Sequence, residues 1–302
     1  MDLTDKFKGC LVGLACCDAV GTTLEFSRRG TFEPISDMVG GGPFDLAPGQ
    51  WTDDTSMALC LAHSLLHKNG FDPLDQMNRY CNWYLYGYMS STGECFDIGG
   101  TVAAALNSYM ETGNPFSGSI DERSSGNGSL MRLAPIAIFY RDNPLDLIHY
   151  AGESSRTTHG SSECIDSCKY FASLLVKAMT ASNKMELKST IYQPTTVKVN
   201  EIASGSYLEK SYEQLTGSGY VIESLESALW CFHKADSFEA AILLAANIGN
   251  DADTTAAICG QIAGAFYGAR AIPVKWISRL VEGDSIIDLA CKLLRDSDHA
   301  SA

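Results

Sequence analysis

An all-α fold, built as a single compact multi-helix domain over 1–302, is predicted by three features of the sequence. Apolar residues recur at helical spacing through most of the chain, β-type alternation is nearly missing, and Gly, Pro, Asn and Ser collect between the periodic stretches. Phe7, Leu11 and Leu14 fall on one stripe, and Met57, Leu61 and Leu65 on another. Further helices are predicted over 97–111, 128–140, 162–181, 220–233, 237–248, 253–268 and 284–295, all rich in Ala, Leu and Ile. Gly260, Gly264 and Gly268 line one face of the 253–268 helix and read as a site of close helix packing. Thr195–Val199 alternates weakly without a partner strand, so it reads as extended or irregular. Two long connections stand out: 27–50, with its Gly40-Gly41-Gly42-Pro43 run, and the polar 182–219, read as a surface excursion or lid. Loops of that length in a compact domain tend to be functional.

Composition narrows the function. The chain has 302 residues, 45% apolar and 19% charged, enough for a substantial core. A net charge of −14 argues against nucleic acid and against an anionic membrane, both of which need a cationic surface. An anionic small molecule remains compatible if cations and backbone amides neutralise it locally. The N-terminal residues lack the layout of a signal peptide, and no apolar run is expected to span a bilayer. The 11 cysteines are scattered through apolar segments, as Cys60, Cys231, Cys259 and Cys291 show. They read as buried free thiols of a cytoplasmic protein, not as a disulfide framework. Cys164 and Cys168 have helical spacing but no partner pair, which removes a structural zinc site.

The chemistry concentrates in Trp51-Thr52-Asp53-Asp54-Thr55 and Asn250-Asp251-Ala252-Asp253-Thr254-Thr255. Each opens an apolar-periodic segment with two carboxylates and adjacent hydroxyls. Taken alone, either is equally well an N-terminal cap, since acids belong at the positive end of a helix. Taken together, they offer more oxygens than two caps require. Hard oxygen donors suit Mg²⁺ or Mn²⁺, so a two-metal centre is the better account if the fold joins them. Glu25, between Leu24 and Phe26, is either an exposed helix-end acid or a half-desolvated acid–base group. Asp97 either caps the following helix or shares that duty. Gly126-Asn127-Gly128-Ser129 is an ordinary turn or an anion cradle at a helix start. Arg132 would reinforce a cradle, although an Arg one turn into a helix is usually solvated. His159 on its own carries no functional signal.

In order and spacing these residues resemble the ADP-ribosylglycohydrolases, the family that includes the dinitrogenase-reductase-activating glycohydrolase and the arginine- and serine-linked ADP-ribose hydrolases. The likeness runs through Gly13-Leu14-Ala15, Asp18-Ala19-Val20-Gly21, Glu25-Phe26, Gly49-Gln50-Trp51-Thr52-Asp53-Asp54-Thr55, Asp97-Ile98-Gly99, Gly126-Asn127-Gly128-Ser129-Leu130-Met131-Arg132, Thr158-His159 and Asp251-Ala252-Asp253-Thr254-Thr255. It is weakest over 182–219. The resemblance implies a fold of that type with two Mg²⁺ or Mn²⁺ ions on Thr52, Asp53, Asp54, Asp251, Asp253 and Thr254. It implies that Ser125, Gly126, Asn127 and Gly128 cradle the diphosphate, that His159 lies near the distal ribose, and that Tyr220 stacks on adenine. Glu25 and Asp97 would be the catalytic carboxylates. Cys17 and Asn250 depart from the usual pattern and bear only on local geometry.

The implied reaction is hydrolytic release of ADP-ribose from a modified protein. Cleavage at C1 of the ribose builds oxocarbenium-like charge, and one carboxylate would guide water while the other assists departure of the side chain. Arginine is the favoured linkage; a serine or acetyl ester linkage, or a non-catalytic crystallin-like or ADP-ribose-binding relative, is the alternative. A diphosphate synthase with an Asp-Asp-x-x-Asp motif fails at the residues, because Met57 stands at its third acidic position. A monomeric protein acting on ADP-ribosylated partners in the cytoplasm is expected.

Overall fold

The computed structural model describes residues 2–300, with side chains as far as Arg295; Met1 and 301–302, the limits of the expected domain, lie outside the described residues. The helices are α1 (Leu3–Gly21), α2 (Asp53–Lys68), α3 (Pro73–Tyr86), α4 (Gly100–Thr112), α5 (Ala134–Phe139), α6 (Pro144–Arg156) and α7 (Ser162–Thr180). They continue as α8 (Val197–Ala203), α9 (Val221–Lys234), α10 (Phe238–Ala246), α11 (Ala252–Tyr267), α12 (Val274–Ile277) and α13 (Gly283–Ala300). Among the described residues there is no strand, only isolated bridges such as Ser119 with His159 and Gly126 with Tyr220.

The centre is the α1–α11 pair. α1 is apolar on every side and buried from Gly9 to Gly21, as a core helix must be. It contacts α11 so closely that a Cβ at Gly13 or Gly260 would meet the backbone of the other helix, and likewise at Gly9 and Gly264. The packing reading of the glycine face holds for Gly260 and Gly264. Gly268 differs: it ends α11 at a φ of +84°, which glycine adopts without penalty. By length and composition Leu3–Leu24 could cross a membrane, contrary to the sequence expectation, but 89% of its apolar window is buried against the rest of the fold.

Several boundaries differ from expectation for local reasons. The 128–140 helix is only α5, because Pro135 lacks an N–H and sits where a helix begins, leaving 128–132 as turns. The 97–111 helix starts at Gly100 with Gly99 as its cap residue. Thr195–Val199 is not extended throughout: Val197 starts α8. The 182–219 excursion is anchored rather than loose. Asp166 on α7 accepts bonds from the amides of Thr195 and Thr196 and from Tyr192 Oη at 2.7 Å, and Arg29 donates to the carbonyls of Tyr212 and Leu215. None of the 11 cysteines forms a disulfide, and most are buried.

Candidate active site and metal centre

The acidic helix starts of α2 and α11 converge, and the reason lies in who caps them. Asp18, in the last turn of α1, accepts from Thr52 N at 2.9 Å, Thr52 Oγ1 at 2.9 Å, Thr55 N at 3.0 Å and Thr55 Oγ1 at 2.6 Å. It thereby caps α2 from another helix. Glu25 does the same for α11, its Oε2 accepting from Ala252 N at 2.9 Å and Asp253 N at 3.4 Å. Thr52 and Asp251, which occupy the cap positions, make no side-chain cap bond of their own. The simple capping account of the two stretches therefore fails. With capping delegated, Asp53, Asp251 and Asp253 line the cleft and Asp54 is buried behind it, although Asp253 Oδ1 still accepts from Thr254 N at 2.8 Å.

The oxygens gather more densely than protons alone would satisfy. Thr52 Oγ1 lies 2.9 Å from Asp18 Oδ1, 3.0 Å from Asp253 Oδ2 and 3.3 Å from Asp54 Oδ2, yet a hydroxyl has one proton to give. Thr254 Oγ1 adds a bond to Asp54 Oδ2 at 3.2 Å, while Asp54 Oδ1 is buried with no partner. Single oxygens of Asp18, Asp54 and Asp253 lie within 4.8 Å of one another, and so do those of Glu25, Asp251 and Asp253. Such an all-oxygen donor set, with an orphaned buried carboxylate oxygen, fits hard divalent cations. Of the expected ligands, Thr52, Asp54, Asp251, Asp253 and Thr254 are at the cluster. Asp53 lines the cleft beside it and belongs to neither three-carboxylate group. Asp18 was missed as a site residue, although a lone acid between Cys17 and Ala19 in an apolar helix was a usable signal.

Burial first, and the charge of Asp253 second, push Asp18, Glu25, Asp53, Asp54, Asp97 and Asp251 all above the ordinary carboxylate range. Asp18 and Asp251 rise to about 7. The protein alone holds protons here; divalent cations meet the same electrostatic need. Asp97 does not cap α4. It sits in the left-handed region at a φ of 59° and lines the cleft with Glu25.

The cleft has a volume of about 780 Å³ and adjoins a second hollow through Thr101, Gly126 and Gly219. The 125–128 turn forms the wall between them, but not as a simple row of open amides. Gly126 N donates to Ser124 O and Asn127 N to Gly219 O, while Asn127 Nδ2 bonds Asp251 Oδ2 at 2.7 Å. Asn127 thus orients an acidic residue, and Ser125 Oγ is held by Ser161 at 2.8 Å. The cleft-lining amides left for an anion are that of Gly128 and those at the uncapped start of α4, Gly99, Gly100 and Thr101. His159 packs against Gly126 and Gly128, where a Cβ at Gly128 would come within 2.8 Å of its ring. Burial, then Arg132, depress His159 to about 3, so the imidazole is neutral. Arg132 is not solvated: it is 0% exposed, donates to Gly128 O at 3.1 Å and Thr158 Oγ1 at 2.7 Å, and lies over the Tyr80 ring. Tyr220 lines the adjoining hollow with Lys198, which donates to its Oη at 2.6 Å. The two sequence departures fit. Asn250, at a φ of 60°, is a residue that tolerates left-handed backbone, and Cys17 fills space against Gly260.

Among the described residues, an all-helical body thus carries a buried cluster of carboxylate and threonine oxygens beside a cleft, a donor set that suits divalent cations. The ADP-ribosylglycohydrolase family profile matches residues 1–301, and the chain belongs to that family of glycosidic-bond hydrolases. It is 44% identical over 289 residues, 96% of this chain and 79% of the relative, to the ADP-ribosylarginine hydrolase Tri1 of Serratia proteamaculans. It is 29% identical to the ADP-ribosyl-[dinitrogen reductase] glycohydrolase of Rhodospirillum rubrum, with 91% and 90% covered. A solved structure described as an ADP-ribosylglycohydrolase-related protein complex superposes with a TM-score of 0.87 at 40% identity, covering 98% of this chain and 99% of that one.

Proposed function

We propose that this protein removes ADP-ribose from arginine side chains of modified proteins, using two Mg²⁺ or Mn²⁺ ions. The observation that carries the reading is the convergence of the α2 and α11 starts, each relieved of its own capping by Asp18 or Glu25. The arginine linkage is supported by the likeness to the Serratia hydrolase. The ions would be held by Thr52, Asp54, Asp251, Asp253 and Thr254, with Asp18, Glu25 and Asp53 adjoining. The chemistry they supply at such a site is charge neutralisation, grip on the ribose diol and acidification of water.

The chain's own residues do the rest. The carboxylates around the cleft favour the positive charge that develops on the ribose ring. Glu25 and Asp97 share the proton work at that ring, one guiding water and the other assisting release of the side chain. The open amides of Gly128 and the α4 start receive the diphosphate. His159, kept neutral by burial, adjoins the distal ribose without repelling or attracting charge, and Tyr220 offers its ring to adenine. We further propose a monomer working in a reducing cytoplasm; the buried, unpaired cysteines support the compartment.

The test is incubation with arginine- and serine-ADP-ribosylated peptides, with Mg²⁺ and with EDTA. The expected result is release of ADP-ribose from the arginine peptide, abolished by EDTA and restored by Mg²⁺ or Mn²⁺. Equal release in EDTA would refute the metal reading, and release from serine alone would refute the linkage.

A further inference from the structure

Three residues around the cleft hold left-handed backbone although none is glycine: Phe26 at a φ of 58°, Asp97 at 59° and Asn250 at 60°. For a bulky Phe this conformation is strained and persists only where the surroundings impose it. Here two backbone bonds impose it: Phe26 N donates to Asn250 O at 2.6 Å, and Asn250 N donates to Ser27 O at 2.7 Å. The outcome is a division of labour between neighbours. Glu25 turns inward to α11, and the Phe26 ring is left at the cleft, 69% exposed.

Phe26 is not isolated. Its ring meets Phe44 edge-on at 6.2 Å, and Phe44 meets Phe96 at 5.2 Å. Phe26 thus lines the cleft with Glu25 and Asp97, and Phe44 and Phe96, from two other loops, back its ring, whereas Tyr220 belongs to the adjoining hollow beyond Gly126 and Gly219. A ligand with its adenine by Tyr220 and its diphosphate by the 125–128 turn brings its leaving group to this acidic, aromatic end. A planar delocalised cation is the group such surroundings favour, because it can lie on a ring face while carboxylates balance its charge.

We propose that Phe26, backed by Phe44 and Phe96, is a specificity-determining residue that receives the guanidinium of the modified arginine. This inference rests on the arginine reading above and deepens it. The test compares wild type with Phe26→Ala, Phe26→Leu and Phe26→Tyr on an arginine-ADP-ribosylated peptide, with ADP-ribose affinity measured by calorimetry. Phe26→Ala and Phe26→Leu should each lose about tenfold in kcat/KM, chiefly through KM, and Phe26→Tyr should stay within about twofold of wild type. ADP-ribose, which lacks the guanidinium, should bind all four proteins alike. Wild-type activity in Phe26→Leu would overturn the ring-face contact, and parallel loss of ADP-ribose binding would overturn the assignment to the leaving group. Failure of the wild type itself on the arginine peptide would overturn the arginine reading and this inference with it, an outcome distinct from failure of the variants alone.

Discussion

Replacing Asp18 with Asn tests the link between capping and cation binding. The carboxylate accepts from two amides and two hydroxyls of the α2 start and lies beside Asp54 and Asp253. Asparagine keeps the size and one acceptor oxygen but removes a charge. Without cations, burial and the charge of Asp253 push Asp18 up to about 7, so part of the charge is already neutralised, and the cost in EDTA is chiefly the one acceptor lost at Thr52 or Thr55, about 1 kcal/mol. With cations the carboxylate is ionised, and loss of such a supporting group typically weakens metal binding by about 10–100-fold. At fixed Mg²⁺ above both dissociation constants, that corresponds to about 1.4–2.7 kcal/mol less stabilisation. For a chain of 302 residues the Mg²⁺-induced rise in Tm should shrink by roughly 2–4 °C. Thermal unfolding across a Mg²⁺ titration, with an EDTA reference, reads this directly. An undiminished Mg²⁺-dependent rise in D18N would refute the reasoning, and so would a large drop in Tm already present in EDTA.

The pH dependence of the EDTA-treated protein follows from the same carboxylates. Asp18 and Asp251 rise from the ordinary 3.8 to about 7 on folding, so the native state binds their protons more tightly and stability is lost as pH climbs through that window. Each carboxylate removes up to about 1.4 kcal/mol per pH unit there, so Tm in EDTA should fall between about pH 4 and 7 and Mg²⁺ should offset the fall; a Tm that rises over that range in EDTA contradicts this. Glu25→Gln retains an oxygen that can accept from Ala252 N, so it should fold normally yet lose about 10²-fold or more in turnover, as should Asp97→Asn, with ADP-ribose binding kept in both. Glu25→Ala should lose about 1 kcal/mol of stability as well, because the cap of α11 goes with the charge. Gly260→Ala drives a methyl into the Gly13 carbonyl and Cys17, and thermal unfolding should show a loss of about 1–3 kcal/mol.

Much of this was legible in the sequence because it rests on periodicity and composition. The predicted ranges match α7, α9 and α11 to within a few residues, the stripes at Phe7–Leu14 and Met57–Leu65 fall within α1 and α2, and the hydroxyl-flanked acid pairs lie at the cleft. What escaped depends on partners far apart in the chain. Arg132 reads locally as a solvated helix residue, yet it supports the 125–128 turn because α3 and α6 close over it, bringing Tyr80, Ser154 and Thr157 to its guanidinium. Likewise, the Gly126-Asn127-Gly128 run suggests a row of open amides. The pairing of Asn127 with Gly219 consumes one of them, and no local pattern announces that. Asp18 was the nearest miss, since its meaning appears only when α2 is seen to start beside it.

The delegated caps explain why an acidic cluster this dense can exist on a helical scaffold. A helix start already favours negative charge, so two starts facing one cleft partly offset the repulsion among the carboxylates they carry. If each start used its own Asp as the cap, as the local sequence suggests, those oxygens would be turned back onto the helix. Supplying the caps from α1 and from the turn after it costs two further buried acids, Asp18 and Glu25, and so deepens the electrostatic deficit. The close approach of α1 to α11, down to Gly21 against Ala252 and Asp253, holds the acceptor Glu25 beside the helix start it caps, and Asp18 reaches the start of α2 from the last turn of that same α1. Cation binding is therefore coupled to the central packing of the molecule: a variant that loosens α1 from α11 should lower metal affinity even though every carboxylate remains.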